Sequence, residues 1–485
     1  MNYKNIATPL TLLAATTLFL MGCQSASQSA SKTAAATVQV SQDTGKFQLP
    51  AYETVTLDNG LTLMLMPQKE VPLITVNAVV RAGSVDDNIG GIASMTADSL
   101  LLGAGKHSKQ QLEQQIDFLG ASLNTSSGRE GSYLSADFMA KDTDIMLGLV
   151  ADVLLQPQFD KQEFAKLKQR NIAELEQSKE SPKSVINRYF SKLIFADHPY
   201  GNATSGDRDS LAKLALPEVK AFYHQFYQPG NTAISVVGDF DPVQMKAKLQ
   251  QLFGRWSSQM PAPMLDLSQG LPSLTQSQVL LVDKPDAIET TFLIGGMGVA
   301  RNNPDYIGLS VVNTILGGRF TSWLNDELRV NSGLTYGARS SFISYRDAGL
   351  FEISTFTKMS STEQAIDLAL KTYQRLWDKG IDEATLASAK AYVKGQFPPR
   401  YETNGDLAGL LSDMYIYGFD ASYINDFQKR VDSLTVADSK RLIDTYFPKD
   451  KLQFVLIGNA AKIAPIAAKY GQVKQLDIKA VGFGS

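Results

Sequence analysis

The tightest constraint on the fold is an ending that occurs twice. Ala233-Ile234-Ser235-Val236-Val237-Gly238-Asp239-Phe240 reads as a buried strand that stops at a glycine turn. Near the far end of the chain, Phe454-Val455-Leu456-Ile457-Gly458-Asn459 reads the same way. An aromatic-rich helix end precedes each: Phe222-Tyr223 with Phe226-Tyr227 in one case, Tyr446-Phe447 in the other. A chain of 485 residues is too long for one ordinary domain. Pro261, Pro263 and Pro272, with Ser and Gln between them, mark a junction. The expectation is an α+β protein built from two similar halves of roughly 200 residues each, within the usual domain range. The first half spans 50–265 and the second 275–485. Chance similarity of two strand endings is the competing explanation.

Local signals inside the first half agree with that class. Val55-Thr56-Leu57 and Leu61-Thr62-Leu63 flank Asp58-Asn59-Gly60, a hairpin signature. Leu73 to Val80 reads as a strand. Helices are expected from Gly91 to Leu102, from an N-capping Ser108 through Leu119, over Val150 to Leu155 with Leu147, and over Glu163 to Gln177.

Residues 1–22 read as an export signal, with Lys4 in a positive leader and an uncharged apolar run from Leu10 to Met21. Leu20-Met21-Gly22-Cys23 resembles the bacterial lipobox, in which the cysteine becomes the acylated N-terminus; an ordinary cleaved signal is the alternative. Acyl chains on Cys23 would anchor the protein to a membrane, and Gln24 in the next position favours the outer membrane by resemblance to known sorting rules. Residues 23–49, rich in Ser, Ala, Gln and Thr, read as a flexible tether.

Composition narrows the chemistry. The net charge of −3 gives no basic excess to neutralise phosphates, so nucleic acid is not an expected partner. One cysteine excludes both an intrachain disulfide and a thiolate zinc cluster. The three histidines, His107, His198 and His224, show no ligand spacing. No Gly-x-Ser-x-Gly elbow offers a serine nucleophile.

An ordered set of short motifs resembles the pitrilysin/insulinase family of zinc metallopeptidases, in its processing-peptidase-like branch. The first half carries Leu57-Asp58-Asn59-Gly60-Leu61, Arg81-Ala82-Gly83-Ser84, Leu119-Gly120-Ala121-Ser122-Leu123-Asn124, His198-Pro199-Tyr200-Gly201 and Tyr227-Gln228-Pro229-Gly230-Asn231. The second carries Leu316-Gly317-Gly318-Arg319-Phe320, Leu328-Arg329 and Gly333-Leu334-Thr335-Tyr336. The resemblance implies two homologous α/β-sandwich halves in a clamshell-type arrangement that encloses peptides.

Active members of that family carry H-x-x-E-H on a helix soon after the Gly-Ser turn: two zinc-binding histidines and a glutamate that activates water. Here the same positions are Ser94, Ala97 and Asp98. Alanine cannot accept a proton. Glu174 stands at the family's third-ligand position, and the supporting acidic position one helical repeat earlier falls on Leu167. Glu174 reads here as a solvated helix residue. Asp98 and Glu174 alone would make a weak cation site, so no cofactor is expected in this chain.

The resemblance implies a role for what remains. In active members an Arg-Tyr pair, matched here by Arg329 and Tyr336, comes from the domain facing the zinc. The arginine holds the substrate backbone and the tyrosine hydroxyl donates to the forming oxyanion. In two-chain members one chain carries zinc and the other supplies this half. The leading expectation is therefore a non-catalytic subunit that binds peptide and works with a zinc-containing homologous partner. The alternative is a peptide-binding or scaffold lipoprotein without hydrolytic role; last comes a peptidase with an altered metal site.

Overall fold

The computed structural model of the protein describes residues 47–257 and 261–484. The expected signal segment 1–22, Cys23 and tether residues 24–46 lie outside the described residues. Among the described residues no helix is long and apolar enough to cross a membrane.

Each half builds one six-stranded sheet. The first uses β1 (Glu53–Thr56), β2 (Thr62–Pro67), β3 (Leu73–Val80), β4 (Ser122–Ser127), β5 (Ser132–Met139) and β6 (Thr232–Gly238). Their spatial order is β1-β2-β6-β3-β5-β4. The second uses β7 (Gln278–Asp283), β8 (Glu289–Met297), β9 (Ala338–Ser344), β10 (Gly349–Lys358), β11 (Gln453–Gly458) and β12 (Gln472–Asp477), in the order β9-β10-β8-β11-β7-β12. Five strands of each sheet correspond. β2 runs parallel to β6 as β7 does to β11, and every other pair among the five is antiparallel. The registers agree as well: Thr75 pairs with Val237 and Asp137, and Thr291 pairs with Ile457 and Phe356. Only the outer edge differs. β1 is antiparallel to β2, whereas β12 is parallel to β7.

The repeated endings are β6 and β11, each buried along its whole length. A strand covered on both faces is apolar throughout instead of alternating, and both sheets are covered in this way. The helices doing the covering are exchanged. α1 (Ile92–Ser99) and α2 (Lys161–Ser178) stay with the first sheet, on the side of Leu63, Leu65, Ile74 and Val76. The next helix, α3 (Pro182–Phe195), instead packs on β8 and β11 of the second sheet. Its Val185, Ile186, Tyr189 and Phe190 share a core with Leu280, Leu293, Val455 and Ile457. Reciprocally, α4 (Asn404–Tyr417) lies on β3 and β6 of the first sheet. The Ser235 hydroxyl donates to the Ala408 carbonyl at 3.1 Å. The Arg81 guanidinium donates to the Tyr415 carbonyl at 2.6 Å and lies over the Tyr415 ring.

A buried polar junction ties the halves further. The Glu130 carboxylate accepts from the Tyr200 hydroxyl at 2.6 Å and from the Arg346 backbone N–H at 2.9 and 3.0 Å. The Tyr200 ring stacks on Tyr345 with centroids 4.8 Å apart. His198, buried, accepts from the Tyr200 N–H through Nδ1 and so shapes the turn of the His-Pro-Tyr-Gly segment.

Candidate functional site

α1 enters the first sheet through an aspartate. The Asp87 carboxylate accepts from the Gly91 and Ala93 N–H groups at 2.7 and 3.0 Å, capping orphan donors of the first turn. Burial pushes this carboxyl up to about 8. Ala97 turns into the core, fully buried, while Ser94 and Asp98 face a cavity of about 320 Å³ that Glu174 also lines. The structure thus brings three of the four degenerate positions together and leaves Ala97 against the core. Leu167 is buried in the same core.

The donor set of this cavity does not fit a zinc ion. Asp98 Oδ2 already accepts from the Asn171 amide at 2.9 Å. Burial raises the Asp98 carboxyl above its ordinary range, against the pull of Asn171 and Arg170. Glu174 turns outward, its side chain 64% exposed, toward Arg170 at 3.6 Å. Two guanidinium groups, Arg170 and Arg188, share the lining. Arg188 is partly buried and its Nη1 has no hydrogen-bond partner among the described residues. Cations where a cation would sit, and a carboxylate already engaged, oppose metal binding. Among the described residues no group of three or more His, Cys, Asp or Glu is gathered to hold a metal. Asn171, Arg170 and Arg188 were not singled out by sequence. The first two lie on the helical face of Glu174, so a turn-by-turn reading could have found them. Arg188 arrives on the exchanged helix α3.

Arg329 and Tyr336 occupy irregular backbone in the second half. The segment Thr314–Gly318 is a π-helical turn, and so is Asp326–Asn331, which carries Arg329. Such turns recur at functional sites. Gly317 lies so close to the Ser340 backbone that no side chain fits there. The Arg329 guanidinium lies over the Phe320 ring, 4.4 Å from its centroid. Gly333, at φ 62°, reverses the chain in the left-handed region. The following loop is tied down through its neighbours. The Thr335 hydroxyl accepts from the Gly337 N–H at 3.2 Å and from the Thr355 hydroxyl at 3.0 Å, and the Leu334 carbonyl accepts from the Thr357 hydroxyl at 2.7 Å. Tyr336 itself is 83% exposed. Its hydroxyl makes no hydrogen bond among the described residues, and its ring leans toward Phe356 at 6.3 Å. Phe320 and Val330 are also exposed. This is a preformed loop presenting a free phenol, a guanidinium and apolar surface.

Residues 64–208 match the insulinase family (peptidase family M16) and residues 213–393 match the peptidase M16 inactive domain. Zinc protease PqqE of Helicobacter pylori is 25% identical over 412 residues, covering 82% of this chain and 91% of that protein. An uncharacterized zinc protease of Mycobacterium leprae is 24% identical over 430 residues, 87% of this chain and 94% of its own. The crystal structure of a peptidase M16 inactive domain from Pseudomonas fluorescens superposes with a TM-score of 0.78 at 25% identity, covering 84% of this chain and 98% of that one. A protease structure from Helicobacter pylori shares the fold, with a TM-score of 0.77 at 23% identity over 84% of this chain and all of the other. With residues 64–208 and 213–393 both matched by models of its domains, the chain belongs to the pitrilysin/insulinase (M16) family, as a member without the H-x-x-E-H sequence.

Proposed function

We propose that this chain is the non-catalytic subunit of a two-chain zinc metallopeptidase. It binds peptide and presents Arg329 and Tyr336 to zinc held by a homologous partner. The observation that carries this reading is an asymmetry. The first half has a hydrogen-bonded, arginine-lined cavity in place of zinc donors, while the second half holds Tyr336 on an anchored loop with its hydroxyl free. A phenol held on an anchored loop can donate to an oxygen on which charge develops. In this reading the peptide lies between this chain and the zinc-bearing partner. The exposed Phe320 and Val330 equally suit a docking face, which favours the scaffold reading as the second choice.

Metal analysis and a peptide-library assay test the division of labour. The chain alone is expected to carry far less than one zinc per molecule and to show no chelator-sensitive cleavage. The same chain co-purified with a zinc-motif homologue from its genome is expected to cleave. Stoichiometric zinc with cleavage by the single chain would overturn the proposal.

The reading also puts the complex on a membrane surface. Lipid attachment at Cys23 would hold the chain on the periplasmic side of the outer membrane, with residues 24–49 as the spacer. A Cys23→Ala variant is then expected to move from the membrane to the soluble fraction. Retention in the membrane at the parent's level would locate the anchor elsewhere.

A further inference from the structure

Phe356, beside Tyr336, leads to a second cavity. Successive strand residues face opposite ways, so Glu352, Ser354 and Phe356 of β10 share the sheet face on which α3 lies. The helix covers Leu293 and the strands beyond it, but leaves the flank toward edge strand β9 open. A cleft of about 390 Å³ remains, lined by Lys183 and Asn187 of the helix and by Tyr336, Arg339, Glu352 and Phe356.

Glu352 is the anomaly. The residue is 6% exposed. Among the described residues Oε1 meets only the Ser341 hydroxyl, at 3.4 Å, and Oε2 has no hydrogen-bond partner. No ion pair joins it among the described residues. Burial, opposed only by Ser341, pushes the carboxyl up to about 7. An unsatisfied buried carboxyl is costly and calls for a reason. The internal repeat supplies a control. By register Glu352, opposite Gly295, corresponds to Tyr133, opposite Val79. In the first sheet an aromatic ring packs against the common core at this place. The second sheet has a carboxyl and a glycine in place of ring and valine: no side chain fits at Gly295 against the Phe351 backbone, and Glu352 lines the cleft.

The charges are layered. Deep in the cleft stands one acid. Two cations stand among its other lining groups: Lys183, whose ammonium lies over the Phe356 ring, and Arg339, which is exposed. Neither forms an ion pair among the described residues. Tyr336 and Phe356 add aromatic wall to the same cleft. An occupant that matches this order carries a cation on a long apolar stem and an anion at its base.

We propose that this cleft is a subsite for a peptide that ends in lysine or arginine. Glu352 receives the side-chain cation and Lys183 and Arg339 receive the terminal carboxylate. The inference rests on the peptide-binding reading above and names the kind of peptide.

The test is fluorescence anisotropy with the full chain and three otherwise identical labelled peptides: one ending in free lysine, one in lysine amide, one in norleucine. The parent is expected to bind the free-lysine peptide at least ten-fold tighter than either control. Glu352→Gln should erase the lysine-over-norleucine preference and keep norleucine affinity, which also reports that the variant is folded. Arg339→Ala should weaken the acid-over-amide preference without touching β10. Equal affinity of the parent for lysine and norleucine, or an unchanged preference in Glu352→Gln, overturns the subsite. Equal affinity for acid and amide overturns the terminal assignment. The trans role of Tyr336 is read separately, from turnover of the two-chain complex, so either idea can fail while the other stands.

Discussion

Replacing Tyr336 with phenylalanine is expected to lower kcat of the two-chain complex by roughly a hundred- to a thousand-fold, the usual cost of one oxyanion donor. The structure makes this substitution clean. The loop is positioned by Thr335, Gly337, Thr355 and Thr357, and no described residue bonds to the Tyr336 hydroxyl. The ring, with its approach to Phe356, is kept. Folding and assembly should therefore survive, and peptide affinity should change little. Arg329→Ala should behave differently. On the proposed role it deletes a charge-assisted contact to the substrate backbone, so KM should rise more than kcat falls. Both variants are assayed as complexes with a zinc-motif homologue, with single-turnover kinetics to separate binding from chemistry. If the complex forms and Tyr336→Phe turns over as fast as the parent, the trans-catalytic role is wrong and the scaffold reading takes its place.

Local chemistry was readable in the sequence where it is local. The Asp58-Asn59-Gly60 signal is the turn between β1 and β2, and Leu73–Val80 is β3 as expected. Ser108 accepts from the Gln111 N–H as an N-cap. The helix expected over Glu163 to Gln177 runs from Lys161 to Ser178. The helix expected over Gly91 to Leu102 stops at Ser99, because buried Leu100 and Leu102 turn into Gly103 at φ 118°. What sequence could not show is which surface an apolar face meets. Val185, Ile186, Tyr189 and Phe190 announce an amphipathic helix, but not that it crosses to the other half. Two features of the candidate sites depend on that crossing. Arg188 reaches the degenerate cavity on α3. Glu352, between inward-facing Phe351 and Ile353, reads as an outward strand residue until α3 is laid over its face.

The exchange carries the last prediction: neither half should fold alone. Without α4, the first sheet would expose Met64, Met66, Val79 and Val237, all now buried. Burying a side chain of this kind is worth about 1.5–3 kcal/mol. Four of them come to roughly 6–12 kcal/mol, as much as the whole net stability of a typical protein. The apolar face of α3 would be left without its sheet at the same time. Residues 47–257 expressed alone should accordingly be insoluble, or soluble with far-UV but not near-UV circular dichroism. The second-half fragment 261–484 loses the helix that covers Leu293, Val455 and Ile457 and should fail in the same way. Co-expressing the two fragments should restore a single species, since the exchanged helices supply the missing cover in trans. The full chain, by the same logic, should melt in one transition despite its two sheets. A first-half fragment that melts cooperatively within a few degrees of the full chain would show that the exchanged helices decorate two self-sufficient domains, and the coupling argued from these contacts would be wrong.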